Sequence, residues 1–227
     1  MLRAAEADIE GSLADRLIGG NANGSWLVQA ARPLNPLLTK TRLINASYSL
    51  SNLENQLMLQ WLLQETKQDM RLNLAEMLLT QEVQSAFDVI IIDAAPRLST
   101  ASINAICASH WLLVPTMYNS LAVETVESFL SVTRKLADEL NPKLQLAGVV
   151  GNMTFGTSLT PPELDARSVV AEALAAWGPR GHIFEHHIPR KNAISNDAGI
   201  KVAYMDDAGI QKLFDELGDE VVERIGL

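Results

Sequence analysis

The sequence feature that most constrains the fold is a run of four β-branched residues, 89–92, that ends at Asp93. The run shows no alternation of apolar and polar residues, so it predicts a strand that is buried on both faces. Similar apolar runs at 111–115 and 144–150 predict further strands, and residues 182–188 predict a fourth. Because helical patterns separate these runs, the predicted fold is α/β, a three-layer, doubly wound and mostly parallel sheet with helices on both faces.

The helices are predicted from apolar spacing and from capping residues. Helical patterns cover residues 51–63, 70–85, 121–140 and 206–225, and a proline-containing capping box at 160–163 opens one more helix. Ser51 and Glu54 form a second predicted capping box, at the start of the first helix. Residues 41–44 are compatible with a short strand. We expect one domain over residues 1–227, with an irregular stretch at 1–40.

Composition and charge exclude several classes of protein. A chain with 48% hydrophobic and 20% charged residues is not disordered. The net charge of −9 disfavours non-specific nucleic-acid binding by the surface as a whole, and the seven acidic and two basic residues of 206–227 predict an acidic, solvated last helix. Cys107 is the one cysteine, which fits a reducing compartment. No apolar run approaches the ~18 residues that span a bilayer, and no signal peptide is recognised, so we expect a cytoplasmic location.

Candidate site residues follow the predicted strands, because parallel α/β sheets bind ligands at the carboxyl ends of their strands. Asp93, Asn152, Pro189 and Arg190 lie at such positions. An aspartate that ends an apolar strand helps to hold Mg²⁺ in P-loop NTPases. Its alternative role is to cap the following helix.

The histidines of the fourth predicted strand invite a metal hypothesis. On a strand, His182 and His186 share one face while His187 points to the other. This arrangement does not predict a compact metal site.

The stretch Phe87 to Pro96, which reads FDVIIIDAAP, resembles the Walker B segment YDxIIIDxPP of the ParA/MinD-type (CobQ/CobB/MinD/ParA) partition ATPases. Further similar stretches occur in the family's order at 104–105, 113–115, 141–150, 183–184 and 188–190. The resemblance therefore extends over essentially the whole chain.

The resemblance implies a set of roles for individual residues. Asp93 would be the catalytic acidic residue that holds Mg²⁺ through water, and Asn152, Pro189 and Arg190 would contact the adenine end of ATP. Arg190, Lys191 and Lys201 would be candidates for non-specific contacts with DNA phosphates. The intact family forms a homodimer around nucleotide, and a ParB-like partner protein, DNA or other cargo is implied.

The main departure from the family is the phosphate-binding loop. The 227 residues contain no KGGxGKT segment, and the nearest glycine spacing, at 19–24, is followed by Ser25 and Trp26 and is predicted to be a flexible loop. We therefore expect a ParA-like domain that lacks its phosphate-binding part and is inactive as given. A fragment, a misannotated start and a degenerate relative all stay open.

Two further consequences follow from the missing segment. Without the neighbouring P-loop strand, the run 89–92 is expected to leave an apolar edge exposed. A non-catalytic pseudo-ATPase that acts as an interaction module, and an unrelated doubly wound nucleotide-binding domain, are the alternative functions.

Overall fold

The computed structural model describes residues 27–28, 38–44, 50–65, 69–95, 97–195 and 203–227. The chain divides into two compact units, an amino-terminal unit of residues 2–109 and a carboxyl-terminal unit of residues 110–227. The single domain expected over 1–227 stays a prediction. The predicted loop at 19–24 and Lys201 fall outside the described residues.

The described part of the amino-terminal unit is mainly helical. Its helices are α1 (Leu50–Leu62), α2 (Asn73–Leu78), α3 (Gln81–Ala86) and α4 (Thr100–Ala108). Helix α1 agrees with the predicted helix 51–63. Of the predicted strand 41–44, the structure has a single bridging residue, Leu43.

The continuous helix predicted over 70–85 is wrong, because the structure breaks it into α2 and α3. Thr80 adopts an extended conformation between them (φ −63°, ψ 144°). Its hydroxyl donates to the Met77 carbonyl (3.2 Å), and the Gln84 side-chain amide donates to the Leu78 carbonyl (3.0 Å). These side chains satisfy carbonyls at the end of α2, so the helix ends without losing those hydrogen bonds.

The amino-terminal unit is held together by an apolar core and one buried amide. The core contains Leu27, Leu74, Met77, Leu78 and Val83. Asn104 of α4 is only 4% exposed, and its amide group donates to the carbonyls of Met70 (2.8 Å) and Thr100 (3.0 Å). Its oxygen accepts from the Leu74 backbone N–H (3.0 Å). Asn104 therefore ties the entry of α2 to α4.

Ser51 and Glu54 do not form the capping box predicted at the start of α1. Ser51 lies inside α1 rather than before it. The Glu54 carboxylate instead accepts from the Ala101 backbone N–H (2.8 Å), in the first turn of α4. The side chain of Ser99 is the N-cap of α4. Glu54 thus stabilises the start of a different helix, which local sequence spacing does not reveal.

The strand predicted at 89–92, buried on both faces, is also wrong. Within the described residues this segment forms no ladder, and Val89, Ile90 and Ile91 are exposed, Ile91 at 89%. Ile92 packs against the core of the amino-terminal unit. An apolar run is buried on both faces only if neighbouring elements cover it. Because the run forms no strand, the apolar strand edge expected here is not observed, although the side chains of 89–91 are exposed.

The carboxyl-terminal unit contains a parallel three-stranded sheet with order β1–β2–β3. Its elements are β1 (Trp111–Thr116), α5 (Ser120–Leu140), β2 (Gln145–Thr154), α6 (Pro161–Leu174), a 3-10 segment (Ala175–Arg180), β3 (Ile188–Pro189), α7 (Asn192–Ser195), α8 (Ala203–Asp206) and α9 (Ala208–Ile225). The predicted α/β class and parallel sheet are confirmed. No helix in the described ranges is long and apolar enough to cross a membrane.

A β-bulge interrupts the pairing of β1 and β2. Leu112 pairs with Leu146, but Leu113 pairs with Gly148, so Ala147 is the extra residue. The next residue, Gly148, has a φ of +155°, and a Cβ there would lie 2.7 Å from both the His182 carbonyl oxygen and the Phe184 ring. The close approach therefore requires glycine at this position.

The strand predicted at 182–188 is largely absent. Ile183 forms an isolated bridge with Val149, and only β3 continues the pairing. The intervening backbone N–H groups of Glu185 and His186 donate to the Glu220 carboxylate instead (2.8 and 3.1 Å). Glu220 lies on α9, so this acidic residue is not part of a purely solvated face.

Candidate functional site

The carboxyl ends of β2 and β3 bring three of the predicted site residues together. Asn152 pairs with Ile188 and Thr154 pairs with Pro189. The backbone N–H of Arg190 donates to the Thr154 carbonyl (2.9 Å) and extends the pairing by one residue. Asn152, Pro189 and Arg190 therefore lie at the same edge of the sheet, as ligand-binding residues of parallel α/β sheets do.

The residue between the two pairs is in an unusual conformation. Met153 has a φ of 55°, which an L-residue with a side chain rarely adopts, and the register shifts at this point. The Asn152 side-chain oxygen accepts from the Met153 backbone N–H (2.9 Å). This contact restrains the orientation of the Asn152 amide. Pro189 is buried, and Arg190 is exposed.

A buried carboxylate organises the loop that follows β2. Glu163 is 3% exposed, and it accepts from the backbone N–H groups of Phe155 (2.9 Å) and Thr160 (2.8 Å) and from the Thr160 hydroxyl (2.7 Å). Burial by itself raises the pKa of Glu163, but these hydrogen bonds outweigh it and hold the pKa below its ordinary value. The predicted capping box at 160–163 is confirmed. The sequence pattern did not predict the additional hydrogen bond from the Phe155 backbone N–H to Glu163.

Tyr118 connects the end of β1 to the same edge. Its side chain is buried and lies against Gly151, where a Cβ would come within 2.5 Å of the Tyr118 ring. Burial raises the pKa of the Tyr118 phenol. Sequence reasoning missed Tyr118, because a tyrosine two residues beyond a strand carries no recognisable signal until the neighbouring glycine is placed beside it.

Asp93 belongs to the amino-terminal unit and is exposed. Nearby, the Ser102 hydroxyl lies 2.6 Å from the Arg97 carbonyl oxygen and donates to it. Because Ser99 is the N-cap of α4, Asp93 does not perform the alternative role of capping that helix. Its carboxylate is available for a ligand, and its role as a magnesium-binding residue stays a prediction.

The remaining candidate site residues are basic residues and histidines. Arg190 is exposed and Lys191 is half-buried. His182 and His186 both contact Glu220, whereas His187 lies by the Gly156 carbonyl oxygen (3.3 Å), so the predicted division of the histidines is confirmed. Within the described ranges, no cluster of three or more potential ligands is arranged to hold a metal ion.

Comparison with known sequences gives partial matches to partition proteins. The AAA domain family matches residues 5–146. The chromosome-partitioning ATPase Soj of Thermus thermophilus is 32% identical over 104 residues, which are 46% of this chain and 39% of that protein. The protein of the same name from Treponema pallidum is 26% identical over 164 residues, 70% of this chain and 61% of that protein. The aligned part is therefore less than two thirds of either relative's length.

Comparison with solved structures supports the doubly wound fold. The ATP complex of a McdA variant from Cyanothece has a TM-score of 0.70 at 20% identity, over 98% of this chain and 78% of that one. Cobyrinic acid a,c-diamide synthase from Mycobacterium smegmatis, with bound ATP analog and magnesium, has a TM-score of 0.57 at 24% identity, over 73% and 60%. The family match spans more than half of the sequence, and with the Walker B-like stretch and the Soj relatives it shows that the chain belongs to the AAA domain family, among its ParA/MinD-type members.

Proposed function

We propose that this chain is the base-binding and magnesium-binding part of a ParA-type ATPase that positions DNA or another cargo in the cytoplasm. The observation that supports the proposal most is the pairing of β2 with β3. It places Asn152 beside Pro189 and Arg190 at the carboxyl edge of a parallel sheet. The relatives named as partitioning ATPases, and neighbours solved with ATP or an ATP analog and magnesium, support the choice of ligand.

The base and the magnesium ion each have candidate contacts among the described residues, in separate units. An asparagine amide offers both a donor and an acceptor, the pair that matches the N6 and N7 edge of adenine. Pro189 is buried and fixes the backbone conformation next to the exposed Arg190. The exposed Asp93, in the amino-terminal unit, supplies a hard oxygen ligand of the kind that Mg²⁺ prefers. The phosphates have no such partner, because the 227 residues contain no lysine-bearing glycine loop. We therefore derive no phosphoryl-transfer step from these residues alone.

A second candidate function is a non-catalytic interaction module with the same fold. In both functions, the chain would form a homodimer and would contact a ParB-like partner protein and DNA. Arg190 is exposed and is proposed as a contact to a DNA phosphate, together with Lys191 and Lys201.

The base-binding role is tested by nucleotide affinity in a chain extended at its amino terminus with a strand–KGGxGKT–helix segment. Replacing Arg190 or Asn152 by alanine is expected to weaken binding of a fluorescent ADP by about five- to tenfold, the cost of one or two contacts. Lys135→Ala, an exposed cation on α5, is the matched control and is expected to bind as the parent does. Unchanged affinity in both test variants would contradict the base-binding role.

A further inference from the structure

One side of helix α1 is apolar and exposed. Met58, Leu59, Leu62 and Leu63 are each between 42% and 65% exposed. Leu63 follows the last residue of α1, but its backbone N–H still donates to the Leu59 carbonyl (2.9 Å), so it continues the helical turn. The four side chains lie on one side of the helix, within an arc of about 140°. We call these four residues the α1 face.

The opposite side of α1 is the one that packs within the amino-terminal unit. Leu57 is buried, and α1 contacts α4. The Glu54 carboxylate, three residues earlier on the same side, accepts from the Ala101 backbone N–H (2.8 Å) and lies 3.6 Å from the Arg97 guanidinium. Helix α1 is therefore anchored through Glu54 and Leu57, and the α1 face is on the side away from these contacts. An exposed apolar stripe on an anchored helix is typical of an interaction surface.

The α1 face carries no charge, which is unusual for a chain with a net charge of −9. Glu54 is the one charged residue of α1, and it contacts α4. By contrast, α9 exposes Asp215, Asp219 and Glu223, and two copies that met through α9 would repel each other. The α1 face is thus a surface at which two copies of this chain can meet without opposing like charges.

The polar residues around the α1 face are amides, and amides are self-complementary. Asn55 lies one turn before the face on the same side, and Gln56 and Gln60 lie along its border. An amide has both a donor and an acceptor, so it can pair with the same amide of a second copy, whereas two carboxylates cannot. A two-fold interface brings the same patch of each copy together. Both the apolar centre and the amide border therefore fit a second copy of this chain.

We propose that the α1 face pairs two copies of this chain across a two-fold axis in the absence of nucleotide. This contact differs from the homodimer around nucleotide that the family resemblance implies, and it does not depend on the proposed function. Helix α1 has 13 residues and is about 20 Å long, so a pair of such helices buries less than the ~800 Å² per partner of a typical stable interface. We therefore expect weak association, with a dissociation constant of about 10 to 100 μM.

The test is sedimentation velocity of the 227-residue chain without nucleotide, from about 1 to 200 μM. The parent chain is expected to shift from monomer to dimer over this range. L59Q/L62Q is expected to weaken association at least tenfold, because two apolar side chains leave the centre of the contact. The matched control is L121Q, at a leucine of α5 that is 75% exposed, and it is expected to associate as the parent does.

Charge reversal tests whether the contact is between identical surfaces. L59K/L62K and L59E/L62E are each expected to be monomeric, since each places like charges opposite one another. An equal mixture of the two is expected to form dimers again, because opposite charges then meet. This pair also decides the question if L59Q/L62Q does not fold. A mixture that stays monomeric would overturn the two-fold pairing, as would a parent-like dimer of L59Q/L62Q.

A parent chain that is monomeric at every concentration would also overturn the proposal, and thiol labelling of L62C/C107A would then identify the alternative. A thiol that resists a soluble maleimide would assign the α1 face to another part of the same chain. A thiol that reacts freely would leave the face to a different protein.

Discussion

Replacement of Asp93 by asparagine is expected to lower magnesium-dependent ATP turnover by about a hundredfold or more in a chain extended with a strand–KGGxGKT–helix segment. The substitution keeps the shape of the side chain and removes the negative charge that would hold the metal shell. Folding should change little, because the Asp93 side chain is exposed. The measurement is steady-state phosphate release at saturating ATP, with and without Mg²⁺.

The matched control is Asp88→Asn, because Asp88 is exposed at the other end of the same Walker B-like stretch. Its turnover is expected to remain near that of the parent. Because the cap of α4 is supplied by Ser99, a loss of activity at Asp93 would not be explained by a weakened helix start. If the Asp93→Asn variant keeps the turnover of the parent, Asp93 does not hold the magnesium ion.

The largest expected effect on stability is that of Gly148→Ala. The new methyl group would meet the His182 carbonyl oxygen and the Phe184 ring at 2.7 Å each, and Phe184 is only 1% exposed and has no room to move. The positive φ of Gly148 adds backbone strain. We expect the free energy of unfolding to fall by about 3 kcal/mol or more, measured by urea denaturation.

Gly156→Ala provides the comparison for this substitution. At Gly156 the nearest atom to an added Cβ is the Ser158 carbonyl oxygen at 3.6 Å, which is ordinary contact. Its effect on stability is expected to be within about 0.5 kcal/mol. Equal effects of the two substitutions would show that the β-bulge at Ala147 does not constrain the carboxyl-terminal unit.

The elements that sequence patterns predicted well are those determined by their own residues. Strand β1 and helix α5 agree with the apolar run at 111–115 and the helical spacing at 121–140, since each pattern specifies both a period and a buried side. The capping box at 160–163 also agrees, because its donors and acceptors lie within one helical turn.

The elements that sequence patterns missed depend on distant partners. The backbone N–H groups of 185 and 186 donate to Glu220, so only the last residue of the strand predicted over 182–188, Ile188, lies in β3. Glu54 finds its partner at Ala101 rather than in its own helix. The apolar residues at 89–92 favour burial, but the sequence pattern does not say which neighbouring element would cover them.

In the candidate site, too, some contacts follow from local sequence patterns and others depend on distant partners. Asn152, Pro189 and Arg190 were predicted because they follow strands, and the parallel pairing of β2 and β3 brings them together. The contact between Tyr118 and Gly151 and the bond from Phe155 to Glu163 were not predicted. They depend on the positions of whole strands and loops, which a local pattern does not specify.

The most direct test of the central claim is ATP hydrolysis by the 227-residue chain and by its extended form, under the same conditions. The claim is that these residues supply the base-binding and magnesium-binding side chains of a ParA-type ATPase but no phosphate-binding loop. We expect no measurable turnover by the 227 residues and magnesium-dependent turnover by the folded, extended chain. Turnover by the 227 residues alone, or a folded extended chain without any, would contradict the claim.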